Sequence, residues 1–200
     1  MRAPGQVPPE LADSPDRRRW NERYGGGRAP SFPVRPVAAL ALARPLPAGP
    51  VLELACGLSG SALLAAASGR LVTAVDASDV ALDLLAAEAR RRKLDDRMTP
   101  VHADLTTWQP PAERYALVLC TGYWDRGVFT YAADAVAAGG VIGWEAFTEA
   151  ARIDRPQLPA GWCLGPGEPA SLLPLGFDVL SQQEVGPAPA ARRRLLARRA

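Results

Sequence analysis

Pro50-Val-Leu-Glu-Leu-Ala-Cys-Gly-Leu-Ser-Gly60 opens a segment that continues through a helix-like run to Leu71-Val-Thr-Ala-Val-Asp76. Both apolar runs have strand length, and the small residues after the first mark a turn. Ser61 to Ala67 reads as the intervening helix, and the second run ends in an acid 23 positions after Glu53. Strand, small-residue turn, helix and strand-terminal acid make a βαβ unit of the kind that handles nucleotides. Small side chains let the backbone come close to a ligand, and the terminal carboxylate reaches ribose hydroxyls. The chain is therefore expected to bind an adenosine-bearing cofactor.

The alternation continues outward. Val101 to Ala103 predicts a third strand, Tyr115 to Cys120 a fourth and Val141 to Trp144 a fifth, entered through Gly139-Gly140 after a helix over about Val128 to Ala138. Ser78 is placed to cap the helix after Asp76, with Asp79 in its first turn and Arg90, Arg91 and Arg92 in its last, which suits the helix dipole. Strands that are apolar throughout and alternate with helices imply a parallel sheet covered on both faces. Beyond residue 150, prolines break the pattern, and Phe177 to Leu180 and Arg194 to Ala197 read as a closing hairpin-like pair. The arginines around that last strand (Arg192, Arg193, Arg194, Arg198, Arg199) read as solvated charges, because no aromatic residues interleave with them for base stacking. Upstream, Val34 to Ala43 predicts a helix stopped by prolines. Arg17 to Tyr24 predicts another, with Trp20 and Tyr24 one turn apart and glycines at its end. Residues 1–16 read as a flexible Pro-rich tail, leaving 17–200 as one domain.

Composition narrows the function classes. In 200 residues, 23 basic side chains face 21 acidic ones, so the net charge of +2 gives no argument for nucleic acid or an anionic membrane as partner. No run of about 18 apolar residues occurs and no signal-type segment opens the chain, so a soluble, cytoplasmic protein is expected. Cys56, Cys120 and Cys163 have no disulfide or zinc-ligand spacing, so no metal is expected. His102 is the sole histidine and Lys93 the sole lysine, which excludes two-imidazole chemistry and a Tyr-x-x-x-Lys hydride site.

Two cofactors fit the turn. Ala55-x-Gly57-x-x-Gly60 is one substitution from a dinucleotide fingerprint, which would make the chain an NAD(P)-dependent oxidoreductase. Glu53-x-Ala55-x-Gly57-x-Ser59 instead places an acid beside the turn, where it repels a pyrophosphate but holds the cationic amino group of a methionine moiety. On these residues the chain resembles the class I S-adenosylmethionine-dependent methyltransferases. Val51-Leu-Glu-Leu-Ala-Cys-Gly57 is similar to that family's first motif, Ala74-Val-Asp76-Ala-Ser to its ribose-binding strand end, and His102-Ala-Asp104-Leu to its adenine-binding strand end. Tyr115 to Gly122 and Ala138 to Glu145 are similar to its fourth and fifth strands, and Trp20-Asn-Glu-Arg-Tyr24 resembles the opening helix of the small tellurite-resistance and thiopurine-type branch.

The resemblance implies a Rossmann-like α/β fold, with a seven-stranded, mostly parallel sheet and an antiparallel closing strand. It implies S-adenosylmethionine as cofactor, S-adenosylhomocysteine as product and a small-molecule methyl acceptor. Glu53 would meet the methionine amino group, with Ala55 and Gly57 forming the turn. Asp76 and Ala77 would take the ribose, and Ala103, Asp104 and Leu105 the adenine. Thr121 would line the reacting methyl, and Trp20 and Tyr24 would cover the sulfonium. Tyr123, Trp124, Asp125 and Glu145 fall on the acceptor side, Asp125 and Glu145 being the best-placed candidates for a base; no catalytic residue is assigned. Ala55 and Ser59 stand where the family has glycines. Alanine is the milder change, whereas Ser59 would redirect the chain if the turn needed positive φ there. A binding module that keeps the fold without turnover is the remaining reading, and the oligomeric state is left open.

Overall fold

A computed structural model describes residues 7–27, 29–187 and 190–200. Seven strands form one sheet: β1 (Val51–Leu54), β2 (Val72–Asp76), β3 (Met98–His102), β4 (Tyr115–Thr121), β5 (Val136–Phe147), β6 (Phe177–Val185) and β7 (Arg192–Arg199). Their order is β3-β2-β1-β4-β5-β7-β6, parallel from β3 through β5, with β7 antiparallel to both β5 and β6. The expected mixed sheet with an antiparallel closing strand is therefore present. The order reverses between β1 and β4, so the ligand crevice of such a sheet lies at their carboxyl ends.

Helices α3 (Pro36–Leu42), α4 (Gly60–Ala67) and α5 (Asp79–Arg91) cover one face, and α6 (Arg126–Asp134) covers the other. Val37, Ala38 and Ala41 of α3 pack with Ala62, Ala65 and Ala66 of α4 against Val51, Leu117 and Val141. On the opposite face Val128, Phe129 and Ala132 of α6 meet Leu54, Val118 and Trp144. Small alanines on α3 and α4 let these helices sit close to β1, which is buried along its whole length, and to β4, which is buried up to Thr121.

Several expected boundaries move. The tail does not extend to residue 16: α1 (Pro9–Ala12) buries Leu11 completely, and α2 (Pro15–Gly25) starts at a Ser14 cap that accepts from Arg17 N. The first six residues of that predicted tail lie outside the described residues. The β5 strand begins five residues before the predicted Val141, because Gly139 (φ 71°) and Gly140 form a bulge and not an entry turn. A Cβ on Gly140 would crowd the Ala137 and Tyr115 carbonyls, so only glycine lets the strand run through. The arginines of β7 are not solvated charges. Arg194 donates to Glu145, Arg193 to the Gly165 and Glu168 carbonyls, Arg198 to Gly139 and Pro45, and Arg199 to Asp134 and Val136. A strand flanked on both sides turns its long cationic side chains over the sheet ends and neighbouring loops, where they bond carbonyls.

Candidate active site

The β1 strand places Glu53 with 1% exposure beneath the turn that follows. Burial drives its carboxyl up to about 7, against the opposing pull of a hydrogen bond from Ser59 and of the Arg35 charge. The turn itself needs positive φ at two positions, Ala55 (48°) and Gly57 (52°). Ser59 has an ordinary extended backbone (φ −84°, ψ 109°) and caps α4 by accepting from Ala62 N at 2.9 Å. The expectation about the two departures is thus reversed: Ser59 causes no detour, and Ala55 carries the strain. A left-handed alanine costs roughly 1–2 kcal/mol, and glycine at that site gives part of this back in unfolded-state entropy. Ala55→Gly should therefore raise stability by up to about 1 kcal/mol in urea unfolding. A lower midpoint would show that the alanine methyl contributes more through packing.

Asp76 ends β2 with 7% exposure, and its two oxygens accept from Gly57 N and Ser78 N, each at 2.8 Å. Burial raises its carboxyl above the usual range, and the backbone donors and His102 oppose this. One side chain thus fixes the turn after β1 and the start of α5, with a second lone pair on each oxygen left for a ligand hydroxyl. Ala77 follows it, its carbonyl 3.0 Å from His102 Nε2.

Asp104 lies beyond β3, half-buried, and Oδ1 accepts from Thr106 N and Oγ1 at 2.8 Å each, while Oδ2 makes no hydrogen bond among the described residues. Ala103 is joined to Asp76 through its N–H, and Leu105 packs in the core with its carbonyl bonded by the Tyr131 hydroxyl at 2.6 Å. The structure therefore gathers Glu53, Gly57 and Asp76 around one turn and sets Asp104 at the end of the adjacent strand.

Helix α2 lies against α5, and Tyr24 reaches the turn: a Cβ added to Gly57 would run into the Tyr24 hydroxyl. The phenol is pushed up to about 12 by burial and then by the Asp76 charge. Trp20 stacks on Tyr24 with ring centroids 5.9 Å apart, but its ring is also attended by Arg19 at 5.6 Å and Arg23 at 5.5 Å. Arg19 lies closer still, at 4.7 Å, over Trp162 from the segment after β5.

One cluster had no reading in the sequence. Arg17 donates to both oxygens of Asp79 at 2.8 and 3.0 Å, Asn21 Nδ2 donates to Asp79 at 2.7 Å, and the Ser78 hydroxyl donates to Asn21 Oδ1 at 2.6 Å. Arg17 and Asn21 hold the Asp79 carboxyl down at about 2. Asp79 looked like a dipole-favoured acid at a helix start. Its partners lie about 60 residues away, and no local pattern signals them.

Residues 51–140 match a family model described as a methyltransferase domain. Over these residues the chain is similar to a methyltransferase domain. The sheet of the whole chain agrees with solved structures of that fold. TehB from Haemophilus influenzae aligns with a TM-score of 0.71 at 15% identity, over 90% of this chain and 67% of that one. Geranyl diphosphate C-methyltransferase from Streptomyces coelicolor A3(2) aligns at 0.71 and 14%, over 99% and 100%. A structure reported for the conversion of a disulfide bond into a thioacetal group during echinomycin biosynthesis aligns at 0.66 and 21%, over 92% and 91%. No curated protein matches the chain in sequence. The family match goes with methyl transfer and lends nothing to the hydride-transfer alternative.

The residues around the turn fit S-adenosylmethionine: a left-handed glycine for close approach, a buried acid under the turn and a second acid at the end of β2. The acceptor side fits the expectations less well. Thr121 and half-buried Tyr123 stand at the carboxyl end of β4. Trp124, however, is core: it is 3% exposed and packs at 5.6 Å from Phe129 and 6.0 Å from Trp144. Asp125 caps α6 by accepting from Val128 N at 2.9 Å. Glu145 is buried and paired with Arg194 at 2.7 Å and Arg192 at 3.5 Å. Both expected bases are thus engaged, Asp125 in a helix cap and Glu145 in an ion pair. Among the described residues no group of acids, histidines and cysteines could hold a metal ion, and no helix is long and apolar enough to cross a membrane.

Proposed function

We propose that this chain transfers a methyl group from S-adenosylmethionine to a small organic acceptor. The observation that carries this is the pairing of Gly57 N with Asp76 above buried Glu53, which prepares one turn for both ends of an amino-acid nucleoside. When bound, the cofactor supplies an electrophilic methyl on sulfur. In this reading Glu53 faces its ammonium group, and Ala55 and Gly57 let the backbone pass beside it. Asp76 and Ala77 hold the ribose, Ala103, Asp104 and Leu105 frame the base, Thr121 lines the methyl, and Trp20 and Tyr24 close the site from above. An in-line displacement needs alignment and exclusion of water more than it needs a base, and a lid helix with stacked aromatic residues serves both ends.

The acceptor side supports a nucleophile that brings its own reactivity. With Asp125 capping α6 and Glu145 in its ion pair, a thiol, an ionised oxygen or an activated carbon suits the site better than a neutral alcohol. Relatives of the fold named for geranyl diphosphate and magnesium protoporphyrin IX support a small molecule over a folded partner. A soluble protein with no nucleic-acid or membrane partner, working in the cytoplasm, agrees with the near-neutral charge. The fold also serves a [4+2]-cyclase, so binding without methyl transfer is the second reading.

Calorimetric titration of folded protein with S-adenosylmethionine and S-adenosylhomocysteine tests the first step. Mass spectrometry for S-adenosylhomocysteine, in the presence of thiol, phenol and carboxylate acceptors, tests the second. Micromolar binding and product from at least one acceptor class are expected. Absence of binding by both ligands sinks the reading, and binding without product from any acceptor favours the second one.

A further inference from the structure

We propose that Ser59 is a positioning residue for the cofactor, its hydroxyl clamped between the N-terminus of α4 and Glu53 so that the Glu53 carboxylate is aimed at, and kept ready for, the cofactor's ammonium group. This rests on the reading of the site given under Proposed function. Ser59 Oγ has one proton and places it on Glu53 Oε2 at 2.7 Å, while its lone pair receives Ala62 N–H at 2.9 Å. Both partners are buried, Ser59 at 5% exposure and Glu53 at 1%, so neither bond is exchangeable with bulk water. The hydroxyl therefore passes the positive end of α4 on to a carboxylate that the strand alone would leave in an apolar setting. A glycine at 59 keeps the backbone path, since φ is −84°, but it provides no such link.

The charges around Glu53 show why the link matters. Asp76 on β2 disfavours its ionised form, Arg35 before α3 favours it, and Ser59 and Ala62 supply hydrogen bonds from α4, while the Cys56 and Cys120 thiols are themselves pushed up by burial and by the Glu53 charge and stay neutral beside it. Burial dominates, and Glu53 is carried to about 7, so near neutral pH the ammonium-binding form is only partly populated. Cofactor binding must then release a proton, and affinity must rise with pH until Glu53 is ionised. In the cofactor-free protein the sign is opposite. A carboxyl whose folded value lies above its unfolded 4.5 stabilises the fold less as pH rises from about 4.5 to about 7.

The test is calorimetric binding of S-adenosylhomocysteine between pH 6 and 9 for wild type, Ser59→Gly, Ser59→Thr and Glu53→Gln, with the Glu53 carboxyl followed by carbon NMR in the cofactor-free proteins. Removing the hydroxyl is expected to move the Glu53 midpoint up by about one pH unit. Ser59→Gly should then bind about tenfold more weakly at pH 6 and about fivefold at pH 7, and match wild type within about twofold at pH 9. Ser59→Thr keeps both bonds and should follow wild type, and Glu53→Gln should be weak and flat across the range. A purely capping role for Ser59 predicts the same loss at every pH and an unmoved Glu53 midpoint, and that result overturns the proposal. If wild type binds at no pH, the cofactor reading falls and takes this proposal with it, and the NMR titration still reports whether Ser59 governs Glu53.

Discussion

Asp76→Asn should abolish useful cofactor affinity, weakening binding by at least about 100-fold, because charge-assisted bonds to two ribose hydroxyls are worth roughly 1.5–3 kcal/mol each. The change keeps size and shape, yet it is not mild here. Both carboxylate oxygens accept backbone N–H groups, from Gly57 and from Ser78. An amide has one oxygen, so its NH₂ end would confront one of these donors. The turn after β1 or the start of α5 must then shift, and stability should drop by roughly 1–3 kcal/mol as a buried donor is left unpaired. Calorimetry with S-adenosylhomocysteine and urea unfolding measure the two losses separately. Retained affinity with lowered stability would mean that Asp76 serves the backbone alone, and the ribose assignment would have to move.

The second large effect is expected at the closing strand. Arg194→Met on β7 strands the Glu145 carboxylate in the sheet interior, with only Arg192 at 3.5 Å remaining. Breaking a buried pair from one side costs about 3–5 kcal/mol, whereas removing both charges is far cheaper. The single variant should lose about 3 kcal/mol in urea unfolding, and Arg194→Met with Glu145→Gln should regain more than half of that. Equal destabilisation by the single and double variants would show that the arginine acts through packing. A double variant that keeps methyl transfer would confirm in solution that Glu145 is not a proton acceptor in the reaction.

The cofactor half of the molecule was the most legible part of the sequence. Strands β1 and β2 are almost wholly buried and mostly apolar, the turn between them is built of small residues, and Glu53, Asp76 and Asp104 fall in or just beyond three successive strands. Ser59 misled because a serine in a glycine motif reads as a steric problem, while its backbone angle is ordinary and the unusual angles fall on Ala55 and Gly57. The acceptor half was harder to read. Trp124 and Asp125 follow a strand in the manner of pocket residues, yet one fills an aromatic cluster and the other caps a helix. Glu145 could not be recognised as a paired acid until β7 was known to lie beside β5, a contact 49 residues away in the chain. The run of arginines near the end looked like surface charge for the same reason: its partners are carbonyls and the carboxylates of Glu113, Glu145 and Glu184 elsewhere in the fold, which no local pattern signals.

The Arg17 and Asn21 clasp on Asp79 and Ser78 makes helix α2 part of the proposed site and not an appendage. A protease that nicks the chain between Gly25 and the first strand would leave the sheet standing while releasing the cover over Gly57. Such a clipped protein should still unfold cooperatively yet hold its ligand poorly, so an intact melting curve on its own says little about whether a preparation is competent.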